Sequence, residues 1–520
     1  MNLWQGVEPS QLITLSILLP LVGAVLIIAA GKYPNLRETV TLTTAVALFS
    51  IVLAITDYTY SGVKMELDVV ELFPGLGINF FVEPLGVLFA LVASFLWIIT
   101  SIYAIGYMRG HHEENQTRFF CCFAIAISSV MAICFSGNLL TLFIFYEVLT
   151  LSTYPLVTHA GTKAAKKGGR VYLGILLSTS IAFLLFAVIG TYSVTGTLDF
   201  VDGGIFDESE SKAVLGFLLV LFCYGIGKAA IMPFHRWLPA AMVAPTPVSA
   251  LLHAVAVVKA GVFSILKVVI YIFGVDNLKD IPTTDIMLYI GAATILLSSC
   301  IAMTKDNLKA RLAYSTVSQL SYIVVGALLA SSIATAGAAL HIATHAVGKI
   351  TLFFCAGAIM VAAHKKEISD MVGLGRKMLI TFAAFAIGAI SIIGLPPMAG
   401  TWSKWYLTIG ALEADKLIIV AVLMISSLLN IAYLLPIPIK AFFAAPSNGS
   451  GATAEGAEPW RWSQTQEAPL PILIALTVTS IGCLALFFYP EPLIELINMI
   501  PDVSTEMGSA TVAPAEMGEG

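Results

Sequence analysis

Long apolar runs separated by short polar segments fill almost the whole chain. A helix needs about 20 apolar residues to cross a bilayer. The pattern therefore predicts an all-α polytopic membrane protein with about fourteen transmembrane helices. The predicted spans are residues 11–31, 38–56, 79–106, 118–136, 138–159, 171–194, 212–232, 245–273, 285–303, 311–331, 335–362, 378–396, 417–441 and 470–489.

Composition agrees with this class and narrows the function. Of the 520 residues, 58% are hydrophobic and 11% are charged, whereas a soluble domain has about 25% charged residues. The sequence has neither a GxGxxG nor a GxxxxGK[ST] motif, and its seven cysteines form no CxxC pair. We therefore expect no bound cofactor, no metal and no nucleic-acid partner. The N-terminus lacks a basic region, so it is interpreted as the lead-in to the first span.

The lysines and arginines predict how the chain is oriented. They concentrate in alternate loops, whereas the opposite loops are acidic, as between residues 199 and 210. Because basic loops stay in the cytoplasm, both termini are predicted to lie outside a bacterial cytoplasmic (inner) membrane. Residues 1–490 are predicted to form one transmembrane domain with a cytoplasmic loop at 443–469. Residues 491–520 are predicted to be an acidic, disordered tail.

Only a few ionisable side chains fall within the spans. Each costs roughly 3 kcal/mol to insert, so it is a functional candidate by default. Glu147 is the one mid-span carboxylate, and it stays ionised only beside a cation; Lys228 is its predicted partner. A structural ion pair without a role in transport is the alternative. The lysines within spans are Lys228, Lys259, Lys267, Lys349 and Lys404. Lys267 lies nearer a helix end, where either a function or a snorkelling side chain is open.

Prolines and glycines interrupt three of these spans next to lysines. GIGKAAIMPFHRWLPAAMVAPTPVSALLHAVAVVK, residues 225–259, breaks spans 7 and 8 around Lys228 and Lys259. IGLPPMAGTWSKW, residues 393–405, breaks span 12 beside Lys404. Broken helices that carry charges are typical of ion pathways, and corresponding breaks in two halves indicate an internal repeat, which can be inverted.

The segment HIATHAVGK places three titratable groups at intervals of four residues. On a helix, His341, His345 and Lys349 share one face and span about 12 Å. Histidine exchanges protons near neutral pH, so the arrangement favours a proton relay. The structural alternative is two histidines bonded to neighbouring carbonyls and a snorkelling lysine.

Together with FYEVLTLSTYPL and AYSTVSQLSYIVVG, these motifs resemble the antiporter-like proton-conducting subunits of respiratory complex I, membrane-bound hydrogenases and Mrp-type sodium/proton antiporters. The resemblance covers about residues 75–440, and VVKAGVF with SKW looks most like the D-type member of the Mrp subunits. It implies two inverted five-helix repeats. It also implies a relay of Glu147, Lys228, Lys259, a central group on the eleventh span and an exit-side Lys404. The central group is His341, His345 and Lys349.

The sequence thus predicts a proton-translocating subunit of a multisubunit Na+/proton antiporter. It is expected to lack redox chemistry of its own and to work with other membrane subunits in the lipid bilayer, moving protons and Na+. The alternative is the same role in an NADH:quinone oxidoreductase or a membrane-bound hydrogenase. A third possibility is a scaffold subunit whose relay is vestigial.

Overall fold

Helices form most of the computed structural model, which describes residues 4, 6–73, 76–207, 209–444 and 466–505. The all-α class is thereby confirmed. The helices are α1 (Pro9–Ala29), α2 (Pro34–Tyr60), α3 (Pro84–Gly110), α4 (Gln116–Cys134), α5 (Leu139–Val157), α6 (Lys163–Thr179), α7 (Leu185–Thr195), α8 (Lys212–Gly225), α9 (Trp237–Ala240), α10 (Thr246–Ala250), α11 (Val257–Val268), α12 (Pro282–Thr304), α13 (Leu308–Leu328), α14 (Ser332–Ala363), α15 (Leu379–Ile393), α16 (Gly400–Glu413), α17 (Leu417–Leu434), α18 (Pro436–Phe443), α19 (Leu470–Phe488) and α20 (Glu491–Asn498).

Ten helical segments of the described chain are long and apolar enough to cross a membrane. Two shorter apolar helices, α8 and α15, are the first parts of the predicted broken spans 7 and 12. The chain is therefore a polytopic membrane protein, while the count of fourteen spans and the inverted repeats stay predictions.

A β-hairpin that the apolar pattern did not predict joins α2 to α3. Strand β1 (Glu66–Phe73) pairs antiparallel with β2 (Leu76–Phe81). The third span was predicted to begin at residue 79, which is wrong, because residues 79–81 belong to β2. The helix begins at Pro84, whose fixed φ favours the first helical position.

The longest helix, α14, lies in the middle of the bundle. It has 32 residues, or about 48 Å at 1.5 Å per residue. It packs against α3, α13, α15, α16 and α19. Its side chains from residue 333 to 359 are all buried, so the polar groups of the segment 341–349 face protein rather than lipid.

The three predicted breaks are present. α8 ends at Gly225, and a 3-10 turn (Gly227–Ala229) follows it. Between α10 and α11 lies a π-helical turn (Leu251–Val255). α15 ends at Ile393, and its C-cap Gly394 has a left-handed φ of 87° that suits glycine; α16 starts at Gly400. Protein surrounds residues 225–231 at the first break, and residues 251, 252, 254 and 255 at the second are buried as well, whereas residues 395–397 at the third break are exposed.

The two segments predicted to be irregular lie mostly outside the described residues. Of the loop 443–469, residues 445–465 are not described. The disordered tail was predicted to begin at residue 491, but residues 491–498 form α20, with Leu496 and Ile497 buried. The Tyr60 hydroxyl also donates to the Pro492 carbonyl at 2.6 Å. Amphipathic packing against the bundle outweighs the acidic composition there; residues 506–520 lie outside the described chain.

Candidate functional site

Lys228 lies in the 3-10 turn after α8 and is fully buried. Its Nζ donates to the Tyr146 carbonyl and to the Thr150 hydroxyl, both at 2.7 Å. The ammonium also lies 3.0 Å from the centroid of the Tyr146 ring. Neutral oxygens and an aromatic face therefore hold Lys228, and α5 supplies all of them.

The predicted direct pair between Glu147 and Lys228 is not formed in the described structure. Both Glu147 carboxylate oxygens are buried and have no hydrogen-bond partner there, although the carboxylate acts electrostatically on Lys228. The reason is helix geometry: successive residues differ by about 100° around the axis, so the α5 face that meets Lys228 carries Tyr146 and not Glu147. Leu151, one turn after Glu147, is 55% exposed, so Glu147 lies toward the side of the bundle.

Lys259 and His345 form the closest contact among the predicted residues. Lys259 Nζ lies 2.7 Å from His345 Nδ1, and both residues are buried. The His345 ring stacks on His341 with centroids 5.7 Å apart. α11 and α14 thus bring Lys259 next to two histidines that lie more than 80 residues further along the chain.

Lys349 starts a hydrogen-bonded chain that leads away from the histidines. Its Nζ donates to the Ser315 hydroxyl at 2.8 Å. Tyr433 donates to the same hydroxyl at 2.9 Å and is also bonded to Asn430. All four residues are buried. The hydrogen-bonded chain that begins at Lys349 therefore includes three neutral polar side chains on α13 and α17.

Lys404 lies at the broken span, against the end of α15. Its Nζ donates to the Ile393 carbonyl at 2.9 Å and to the Ser427 hydroxyl at 3.3 Å. The preceding residue, Ser403, lies 2.8 Å from His341 Nδ1 through its hydroxyl. The Tyr322 ring lies between Lys404 and His341: its centroid is 4.8 Å from Lys404 Nζ and 5.7 Å from that of His341.

Sequence reasoning missed most of the partners of these residues, and it also missed a buried charge pair. Lys267 Nζ lies 2.5 Å from Glu83 Oε1, with side-chain exposures of 0% and 3%. Glu83 directly precedes Pro84 and is the N-cap residue of α3. The signal was an acidic residue placed directly before proline at the start of an apolar run. Lys267 is consequently buried and paired, and it does not snorkel.

Two sequence families match the chain. The family described as NADH:quinone oxidoreductase/Mrp antiporter, TM, matches residues 136–430. The family described as NADH-ubiquinone oxidoreductase (complex I), chain 5 N-terminus, matches residues 75–120. The larger match includes every residue of the predicted relay.

Individual relatives of the chain belong to the same kind of protein. NADH-quinone oxidoreductase subunit N of Desulforudis audaxviator is 32% identical over 429 residues, which are 81% of this chain and 84% of that protein. NAD(P)H-quinone oxidoreductase chain 5 of a Synechocystis species is 31% identical over 361 residues, which are 66% of this chain and 51% of that protein. The chain therefore spans about half the length of this second relative.

The fold matches chains from two membrane complexes. One belongs to the Mrp complex from Dietzia sp., with a TM-score of 0.82, 23% identity and coverage of 96% of this chain and 97% of that chain. The other belongs to an archaeal respiratory complex, the membrane-bound sulfane sulfur reductase, with a TM-score of 0.82, 22% identity and coverage of 96% and 98%. The chain therefore belongs to the family of antiporter-like, proton-translocating membrane subunits that NADH:quinone oxidoreductases and Mrp antiporters share.

Proposed function

We propose that this chain carries protons within a multisubunit monovalent cation (Na+)/proton antiporter of a bacterial cytoplasmic membrane. Its termini lie outside, and its basic loops face the cytoplasm. Protons pass along Glu147, Lys228, Lys259, the histidine pair and Lys404, with Lys349 as a further station. The histidine pair is His341 and His345.

The observation that carries this proposal is the contact of 2.7 Å between Lys259 Nζ and His345 Nδ1. At this distance the two nitrogens can share one hydrogen bond. An ammonium and an imidazolium would both present donors there, and like charges this close repel strongly in a buried site. The pair therefore holds one proton between two bases, which is what a transfer step requires.

The surrounding charges couple the protonation of the stations. Lys259, Lys349 and Lys404 all act electrostatically on His341. Because buried like charges repel, a proton that arrives at one station favours the release of a proton from another. Hydroxyls such as Ser403, with intervening waters, bridge gaps that the long side chains do not cover.

The test removes His345 and keeps the helix. His345→Phe in the assembled complex is expected to lower Na+-driven proton movement in everted vesicles by about tenfold or more, the scale of a lost proton-transfer group. Thr335→Val is the matched control, because Thr335 is buried on the same helix and its hydroxyl has no partner in the described structure. Wild-type transport by the His345→Phe complex, at equal assembly, contradicts the relay.

A redox-driven complex is the second candidate, because the relatives described above are quinone oxidoreductase subunits. Purification of the native complex separates the two. An antiporter complex shows no flavin or iron–sulfur absorption and is driven by a Na+ gradient, whereas choline gives no signal. Proton movement that requires an electron donor and a quinone supports the second candidate and overturns the first.

A further inference from the structure

Glu83 and Lys267 form a buried ion pair that the proposed relay does not use. The Lys267 ammonium is 2.5 Å from the carboxylate, and it donates to the Ser136 carbonyl at 2.6 Å. It also lies 4.5 Å from the centroid of the Phe200 ring. The pair is therefore enclosed from four directions by α3, α11, the end of α4 and the connection between α7 and α8.

The pair is located at one end of the bundle. Glu83 follows the β-hairpin, Ser136 lies between α4 and α5, and Phe200 lies in the acidic connection before α8. We call this the acidic end; under the proposed orientation it faces the outside. Asp202 of the same connection acts electrostatically on Glu83. The buried Glu83 carboxylate therefore lies close to Asp202, which is exposed at the surface.

One helix connects this pair to the relay. Lys267 follows Lys259 by eight residues on α11, a rise of about 12 Å. Ser264 lies between them; it is fully buried, and its hydroxyl donates to the Ala260 carbonyl at 2.7 Å. Ser264 lies about 60° around the helix from Lys267 and about 140° from Lys259. A serine hydroxyl can accept one proton and donate another, so it can serve Lys267 directly, and bridging waters connect it to Lys259.

Stability alone does not account for the pair. Burying two charges carries a desolvation cost that their attraction offsets only in part, and well-packed apolar residues are often as stable. Ionisable residues at membrane depth mark ion and proton pathways by default. The structural alternative is an anchor between the start of α3 and α11, and it has a distinct experimental signature.

We propose that Glu83 and Lys267 form a proton gate between Lys259 and the outside. The Lys267 ammonium passes a proton to the Glu83 carboxylate across their 2.5 Å contact, which leaves a neutral amine beside a neutral acid. Glu83 then releases the proton toward Asp202. A proton that Lys259 supplies through water and Ser264 restores the Lys267 ammonium, and the ion pair re-forms. This inference rests on the proposed relay, because it needs Lys259 as donor.

The experiment compares variants that keep or remove proton exchange. Lys267→Arg preserves the positive charge but does not deprotonate; Glu83→Gln removes the acid. In the assembled complex both are expected to slow transport by about tenfold or more. Lys279→Met is the control, because Lys279 lies at the same end with a side chain that is 58% exposed.

The rate as a function of pH on each side of the membrane distinguishes a gate from an anchor. Loss of the gate changes the dependence on pH at the acidic end and leaves the dependence at the opposite side unchanged. The other titratable groups that face the pair are Cys134, Asp202 and Tyr271. Wild-type rates and profiles for Lys267→Arg identify an anchor and overturn the gate.

Two further variants separate a failure of the gate from a failure of the relay. Ser264→Ala keeps both charges, so an unchanged rate and pH profile for it overturns proton passage even where the charge variants do not assemble. Lys259→Met tests the relay itself. If Lys259→Met transports normally, the proposed function fails; if it is inactive while Lys267→Arg is active, only the gate fails.

Discussion

A buried lysine amine behaves differently when its partners are carbonyls and when its partner is another base. Lys228 is bonded to the Tyr146 carbonyl and the Thr150 hydroxyl, which accept its hydrogens. Lys259 meets an imidazole nitrogen that can itself take the proton. Of the two lysines, only Lys259 therefore touches a group that can receive its proton directly.

Lys349 provides the sharpest test of proton exchange at a single residue. Its amine donates to Ser315 in a fully buried site. Arginine keeps the charge but does not lose its proton in a protein. Lys349→Arg is therefore expected to lose about tenfold or more of the transport rate, nearly as much as Lys349→Ala. Vesicle transport at matched expression measures both; an active arginine variant shows that only a fixed charge is needed.

Glu147 and Lys228 are expected to depend on each other without touching. Lys228→Ala removes the cation that Glu147 acts on, and Glu147→Gln removes the one carboxylate predicted at mid-span. Each is expected to abolish most transport while the complex still assembles, because each leaves a buried charge without its counter-charge. Transport near the wild-type rate in either variant, measured beside a native gel of the complex, contradicts the coupling.

The sequence allowed the ionisable residues to be predicted but not most of their partners. Lysine, histidine and glutamate are rare in apolar spans, so each is visible. Ser315 and Tyr433 are ordinary in such spans, and nothing in their spacing distinguishes them. For a related reason the sequence did not show that Glu147 and Lys228 make no direct contact: composition shows that a charge is present, whereas the rotation of α5 decides which neighbour it meets.

At the scale of elements, α11 packs against the broken helix through one glycine. A Cβ at Gly261 would overlap Ala229 N and the Lys228 carbonyl carbon. Backbone atoms cannot move aside as a flexible side chain does, so only glycine allows this approach. The contact fixes Lys228 relative to Lys259, two residues before the glycine.

Gly261→Ala is therefore expected to displace the turn that carries Lys228. Overpacking of this kind costs about 1–3 kcal/mol, so the melting temperature of the complex and the transport rate both fall. Gly174→Ala is the control, because a Cβ there meets nothing within 4 Å. Equal thermal stability and transport for the two variants contradicts the role given to Gly261.

The breaks in the helices were predictable and the hairpin was not. Proline and glycine mark the breaks directly, because they remove hydrogen-bond donors or allow left-handed backbone. The strands at 66–73 and 76–81 border an apolar run, and their pairing depends on contacts with the bundle, such as Phe81 N to the Phe135 carbonyl at 2.8 Å. A prediction from hydropathy alone therefore extended the third helix into strand β2.

At the scale of the whole molecule, most residues of the proposed relay lie in the interior, but Glu147 lies toward the side. Val148 and Leu151, next to it on α5, are 37% and 55% exposed. Apolar side chains face the surroundings in the same way along α1 and α17. In a membrane such a surface meets either lipid or another subunit, and a carboxylate beside it is better stabilised by a protein partner.

We therefore expect the single chain not to exchange Na+ for protons by itself. In the proposed function the chain works within a multisubunit complex, and the exposed surface beside Glu147 is a place where another subunit can bind. The measurement reconstitutes the purified chain and the whole complex in liposomes at equal amounts of this chain, with a pH-sensitive dye inside. A Na+ gradient should move protons only with the complex. A complex that carries Lys349→Ala is the negative control, and robust Na+-dependent proton movement by the chain alone refutes the requirement for partners.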